Sequence, residues 1–155
     1  MKRSEIRTFR EDLRRFERLA TSQFKGSSCC SGVTLAQCHV LLEIEAREIS
    51  SLGELAQALG LDKSTLSRTV DAVVNIGLVD RVFDPRDRRS VRLSLTSQGQ
   101  TTCDRINEGN DGLFNRVFER IEPAGQQTVL KSFHELVAAM EAEMGGSCPA
   151  CAAGD

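Results

Sequence analysis

The stretch from Ser51 to Thr96 holds two short helical patterns broken at one glycine, then an arginine-rich loop framed by two alternating runs. Ser51 with Glu54 three residues on makes a capping-box pattern, and Leu52, Leu55, Ala56 and Leu59 recur at helical spacing until Gly60. Beyond Gly60 and Leu61, either Asp62 or Ser64 can cap a second helix. Its apolar positions are Leu66, Val70, Val73 and Val74, while Lys63, Thr65, Ser67, Arg68 and Asp71 lie on another face. Asn75-Ile76-Gly77 ends it. Leu78 to Phe83 and Val91 to Leu95 read as strands, because Val91, Leu93 and Leu95 alternate with Arg92 and Ser94, and Asp84-Pro85 supplies the turn.

Helix, glycine turn, a helix with a small, polar, cationic face, then a hairpin: this is the order of a winged helix-turn-helix, whose second helix enters the DNA major groove. Ser64, Thr65 and Ser67 are short enough to let a helix backbone approach phosphates and base edges, with Lys63 beside them. Arg68 can reach a guanine or a phosphate bidentately. From Arg81 to Arg92 five arginines stand against two aspartates, a net of +3 in a chain whose total is -2. Arg86, Arg88 and Arg89 at the hairpin tip suit backbone or minor-groove contact; Asp84 and Asp87 can also orient one of them as ion pairs.

The segment LDKSTLSRTVDAVVNIGLVDRVFDPRDRRSVRLSLTSQG resembles the MarR family of winged helix-turn-helix regulators. The resemblance lies in the S-T-x-S-R-x-V-D helix, the G-L-V start of the hairpin, the D-P-R-D-R-R wing and the L-T-x-x-G opening of the next helix. It implies a homodimer that binds a pseudopalindromic operator in double-stranded DNA and is released by a ligand or by cysteine chemistry.

The rest of the chain reads as support. Ile6, Phe9, Leu13, Phe16, Leu19 or Ala20, and Phe24 make an amphipathic helix over 6–24 whose other face is rich in Arg and Glu. Lys25 to Val33 reads as a loop by its Gly and Ser content. Thr34 with Gln37 forms a second capping box, opening a helix to about Ala46 that is apolar on more than one face. Thr96 can cap a long helix to about Arg120, with Gly109 and Gly112 weakening its middle, and Pro123 starts a last helix through Met144. These stripes exceed what a small winged lobe can cover, so a second copy is the economical partner. The expected architecture is mostly α with a small β-hairpin wing. It is one domain over 1–155, with a winged lobe at 34–95, dimerisation helices at 1–25 and 96–144, and a flexible cysteine-containing tail at 145–155.

Six cysteines need a reason. No signal peptide or run of some 18 apolar residues is evident, so the expectation is a cytoplasmic chain with no membrane partner, where a disulfide framework is rare. Cys29 and Cys30 fall in the loop and Cys38 on the first turn after Thr34, where it would lean toward them. Three thiolates with no carboxylate nearby suit a soft three-coordinate centre, a trivalent arsenical or another thiophilic metal acting as inducer. Oxidation to a disulfide competes, as does a small organic ligand pocket, and Cys38 can instead be a small core residue. Cys148 and Cys151 have metal-ligand spacing but lack further local ligands; Cys103 reads as core. His39 and His134 are single and on separate helices, and His39 gains interest only from Cys38 beside it. No nucleophile-base arrangement, phosphate-cradling loop or H-E-x-x-H pattern occurs, so no enzyme and no required cofactor are expected. From Cys103 on, four bases face nine acids, a net of -5 that would be repelled by phosphate.

Overall fold

Thr34 and Gln37 exchange two hydrogen bonds, Thr34 Oγ1 accepting from Gln37 N at 3.3 Å and Gln37 Oε1 from Thr34 N at 2.8 Å, which starts a helix as the capping box requires. The computed structural model describes residues 1–30, 32–47, 51–83 and 91–144, the side chains of residues 25–30, 83 and 144 excepted. The elements are α1 (Arg3–Cys30), α2 (Leu35–Ala46), α3 (Leu52–Leu59), α4 (Lys63–Asn75), β1 (Val79–Phe83), β2 (Val91–Leu95), α5 (Ser97–Phe118) and α6 (Pro123–Met144).

One expectation is overturned here. The segment from Lys25 to Cys30 is helix, not loop. Gly and Ser each cost a helix interior about 1 kcal/mol or less, and extending a formed helix is cheap compared with nucleating one. The left-handed backbone that favours glycine falls later, at Gly32, with φ 74°.

Glycines close α3 and α4 in the same way. Gly60 takes φ 61°, and Leu61 N donates to Ala56 O at 2.9 Å; Gly77 takes φ 76°, and Leu78 N donates to Val73 O at 3.0 Å. Each satisfies carbonyls that a helix end would leave without partners. Leu78 therefore belongs to the helix closure, and the strand starts at Val79. Strands β1 and β2 are antiparallel, with Val79 opposite Leu95, Arg81 opposite Leu93 and Phe83 opposite Val91.

The chain divides into two compact units, Met1–Asp111 and Gly112–Asp155. The first has a core of Val40, Leu41, Ile44, Leu55, Leu66, Val70, Val73, Val79, Leu93 and Ile106, with Cys38 and Cys103 among them. Truncating a side chain as enclosed as Leu66 to alanine costs about 2 to 5 kcal/mol. The start of α5 is fastened to this core. Thr96 Oγ1 donates to Gly77 O at 2.7 Å and accepts from Gly99 N at 3.0 Å. At Gly99 a Cβ would lie 2.0 Å from Leu78 O, so only glycine admits this approach. Farther along, Glu45 of α2 accepts from Gln100 Nε2 at 2.6 Å and from Asn107 Nδ2 at 3.0 Å.

In the second unit, Gln126 Nε2 donates to Phe118 O and Ile121 O at 3.0 and 3.2 Å, covering carbonyls at the end of α5, and Pro123 occupies the first turn of α6. Helix α5 runs unbroken through Gly109 and Gly112. The apolar stripe of α1 leaves Ile6, Phe9, Phe16 and Leu19 exposed, and that of the second unit exposes Val117, Val129, Leu130, Val137 and Met140. Among the described residues no helix is long and apolar enough to cross a membrane.

Candidate nucleic-acid interface

The alternative left open at the start of α4 resolves to Asp62. Its Oδ1 accepts from Ser64 N at 3.0 Å, Thr65 N at 2.9 Å and Ser64 Oγ at 2.6 Å. The hydrogen bond from the Ser64 side chain, followed by those from Thr65, holds the Asp62 carboxyl well below the usual carboxylate range. Ser64 thus points its hydroxyl proton at Asp62 and keeps its oxygen lone pairs available. Leu66, Val70 and Val73 are buried, and this sets the opposite side of α4 outward. Lys63, Ser64 and Arg68 are exposed, whereas Thr65 and Ser67 are half-buried at its flanks. Arg68 Nε donates to Ser64 O at 3.3 Å, which lays this exposed side chain back along the helix toward its start.

Arg81, counted with the wing cations in the sequence, has another role. Strand alternation places it with Val79 on the inner side of the hairpin, 20% exposed, and its Nη1 meets Asp71 Oδ1 on α4 at 2.8 Å. Its charge is offset there, so among the described residues of the hairpin the unpaired cation is Arg92. The tip residues Arg86, Arg88 and Arg89 fall outside the described residues, as do Cys148, Cys151 and the tail expected at 145–155. Lys63, Arg68 and Arg92 are exposed and in no ion pair among the described residues. The signal for Arg81 was present: an arginine at an inward position of a strand needs a counter-charge, and Asp71 stands on the facing helix.

Cys29 and Cys30 lie in the last turn of α1, and their side chains are outside the described set. The carbonyl end of a helix disfavours a thiolate, so any such help must come from the start of α2. Cys38 is 2% exposed and sits in the core, as the plainer of its two readings allowed. Cys103 shares that core; burial first, then Glu45, Cys38 and Asp104, push its thiol up to about 12. His39 and His134 are both exposed. Among the described side chains no three His, Cys, Asp or Glu come together in a way that could hold a metal ion.

A family model described as "MarR family" matches residues 31–90, which run from the end of α1 through α2, α3, α4 and β1 to the wing. The chain is 33% identical over 76 residues to the multiple antibiotic resistance protein MarR of Escherichia coli K12, a match covering 49% of this chain and 53% of that protein. It therefore spans about half the length of that relative. In fold it is similar to a crystal structure of a MarR family transcription regulator, with a TM-score of 0.80, 19% identity, and 94% and 95% of the two chains covered. It is also similar in fold to a mutant of S. aureus MepR bound to an oligodeoxyribonucleotide, with a TM-score of 0.59 and 15% identity over 85% and 97% of the chains. That match lies on the helix-turn-helix and the first strand of the hairpin built above, and over this segment the chain is similar to the MarR family.

Proposed function

We propose that the chain is a homodimeric transcriptional regulator of repressor type that binds an operator in double-stranded DNA through α4 and the wing. The observation that carries this is the exposed face of the first two turns of α4, where Lys63, Ser64 and Arg68 face solvent beside a hairpin tied to the same helix. Ser64, Thr65 and Ser67 allow close approach in the major groove, and Arg68 offers paired donors to guanine or phosphate. Arg86, Arg88 and Arg89 supply the adjoining contact from the wing. The MepR mutant bound to an oligodeoxyribonucleotide and the E. coli relative support the reading. The test is salt-dependent binding to duplex from upstream of the protein's own gene, competed with unrelated duplex. Equal affinity for both sequences at physiological salt would refute it.

The proposed inducer is a thiophilic metalloid, a trivalent arsenical before other soft metals, taken by Cys29, Cys30 and Cys38. In chemical balance, arsenous acid exchanges three hydroxides for three thiolates, each leaving as water with a thiol proton, and arsenic stays trivalent. Support comes from the chain path: α1 ends at Cys30, four residues before Thr34, and Cys38 is on the opening turn of α2. Because Cys38 is enclosed, capture requires α2 to shift in its packing against α3 and α4, and this couples the thiols to the DNA-binding helix. Operator release is measured against arsenite, phenylarsenical, mercury, zinc and peroxide in the wild type and in Cys30→Ser and Cys38→Ser. Unchanged responses in the variants would exclude the site, and a response to peroxide alone would assign it to redox sensing.

A further inference from the structure

Helix α1 carries a second basic surface. Arg3, Arg7, Arg10, Arg14 and Arg18 follow one another at spacings of 4, 3, 4 and 4, and all five are exposed. At 3.6 residues per turn they fall within about 80° of one another, and the row is centred about 120° from the Ile6, Phe9, Leu13, Phe16 stripe. A partner covering that stripe therefore leaves the row in solvent. Among the described residues only Arg7 of the five has an acidic partner, Glu11 at 3.1 Å. Like charges three and four residues apart destabilise a helix. A row of like charges that repel one another along their own helix is stabilised by an external anion. At its N-terminal end it borders a concavity of about 480 Å³ lined by Arg3, Ser4, Ile6, Arg7 and Arg10.

We propose that this arginine row is a second, sequence-independent contact for the phosphate backbone of duplex DNA. This rests on the reading of the chain as a duplex binder. The row is about 22 Å long at 1.5 Å per residue, and a duplex presents one phosphate charge per roughly 1.7 Å of axis, so several guanidiniums meet phosphates at once. Arginine suits this because its planar fork pairs with two phosphate oxygens. The contact carries no base information; it adds affinity and salt dependence while α4 retains the choice of sequence.

The test compares wild type with R10Q/R14Q/R18Q on a 40-base-pair operator duplex and on an unrelated duplex of the same length, across a salt series. The slope of log affinity against log salt should become shallower by about 2 to 3 for each protomer on the duplex, about 5 for a dimer, on both duplexes and with the operator preference kept. R10K/R14K/R18K should recover most of the slope. An unchanged slope in the Gln variant overturns the proposal, and R14Q alone, expected to lose about 1 for each protomer on the duplex, serves if the triple variant does not fold. Loss of binding to anionic phospholipid vesicles with the DNA slope intact would assign the row to lipid and overturn it. So would a shift to smaller species in sedimentation, which would assign it to a second copy. If wild type shows no operator preference yet the Gln variant still loses slope, the reading of α4 fails and the row stands.

Discussion

Asp71 Oδ1 lies 2.8 Å from Arg81 Nη1, so one ion pair joins the outer face of α4 to the first strand of the wing. The Nε and Nη2 of Arg81 are enclosed with no hydrogen-bond partner, which leaves Asp71 as its anchor. Removing the acceptor with Asp71→Ala should cost about 1 to 3 kcal/mol, because an enclosed cation loses its counter-charge. Operator affinity should fall while the salt slope stays near that of wild type, since no phosphate contact is removed. Thermal melts and a salt series check both; an unchanged melting temperature would contradict the anchor.

At Gly99, alanine would drive its Cβ into Leu78 O. Gly99→Ala should destabilise by about 1 to 3 kcal/mol, lowering Tm by several degrees, because backbone rather than a flexible side chain must yield. Gly109→Ala is the control: nothing lies within 4 Å of its Cβ position, so it should leave Tm unchanged or raise it.

The Cys103 thiol, pushed up to about 12 from an ordinary 9.0, holds its proton in the folded chain at a pH where the unfolded chain has released it. Its contribution is complete below about pH 9 and is lost as pH rises toward 12. With no tyrosine in the chain, this alkaline range is less crowded than usual. Cys103→Ala should melt lower at pH 7, by about 1 to 3 kcal/mol, yet lose less stability between pH 9 and 11 than wild type. Parallel pH profiles would refute the assignment.

Phe9→Glu in α1 and Val129→Glu in α6 place a charge on the exposed stripes that the proposed dimer covers. Each should weaken self-association at least tenfold by sedimentation equilibrium and lower operator affinity with it. Unchanged association in both would leave these faces without the proposed role.

Local chemistry made most of the fold readable. The Thr34-Gln37 box, Asp62 as one of two candidate caps, and Gly60 and Gly77 as stops all act within five residues, a range over which sequence and geometry correspond closely. Cys103 was readable as core because its stripe neighbours are apolar. The end of α1 was not: Gly26 and two serines resemble a loop, and only the cheapness of extending a helix carries it to Cys30. The roles of Arg81, Gly99 and Glu45 depend on which elements approach one another, and this pairing is set by the packed core rather than by neighbours in the chain. Cys38 offered two readings because one helical position can face both a loop and a core.

Glu45 grips α5 through the amides of Gln100 and Asn107, not through a lysine or arginine. Small ions compete with opposite charges far more than with the short bonds between a carboxylate and neutral amide hydrogens. The joint between α2 and α5 should therefore keep its strength in brine, while surface pairs such as Arg7 with Glu11 fade. A titration with potassium chloride then weakens grip on the duplex while this joint holds.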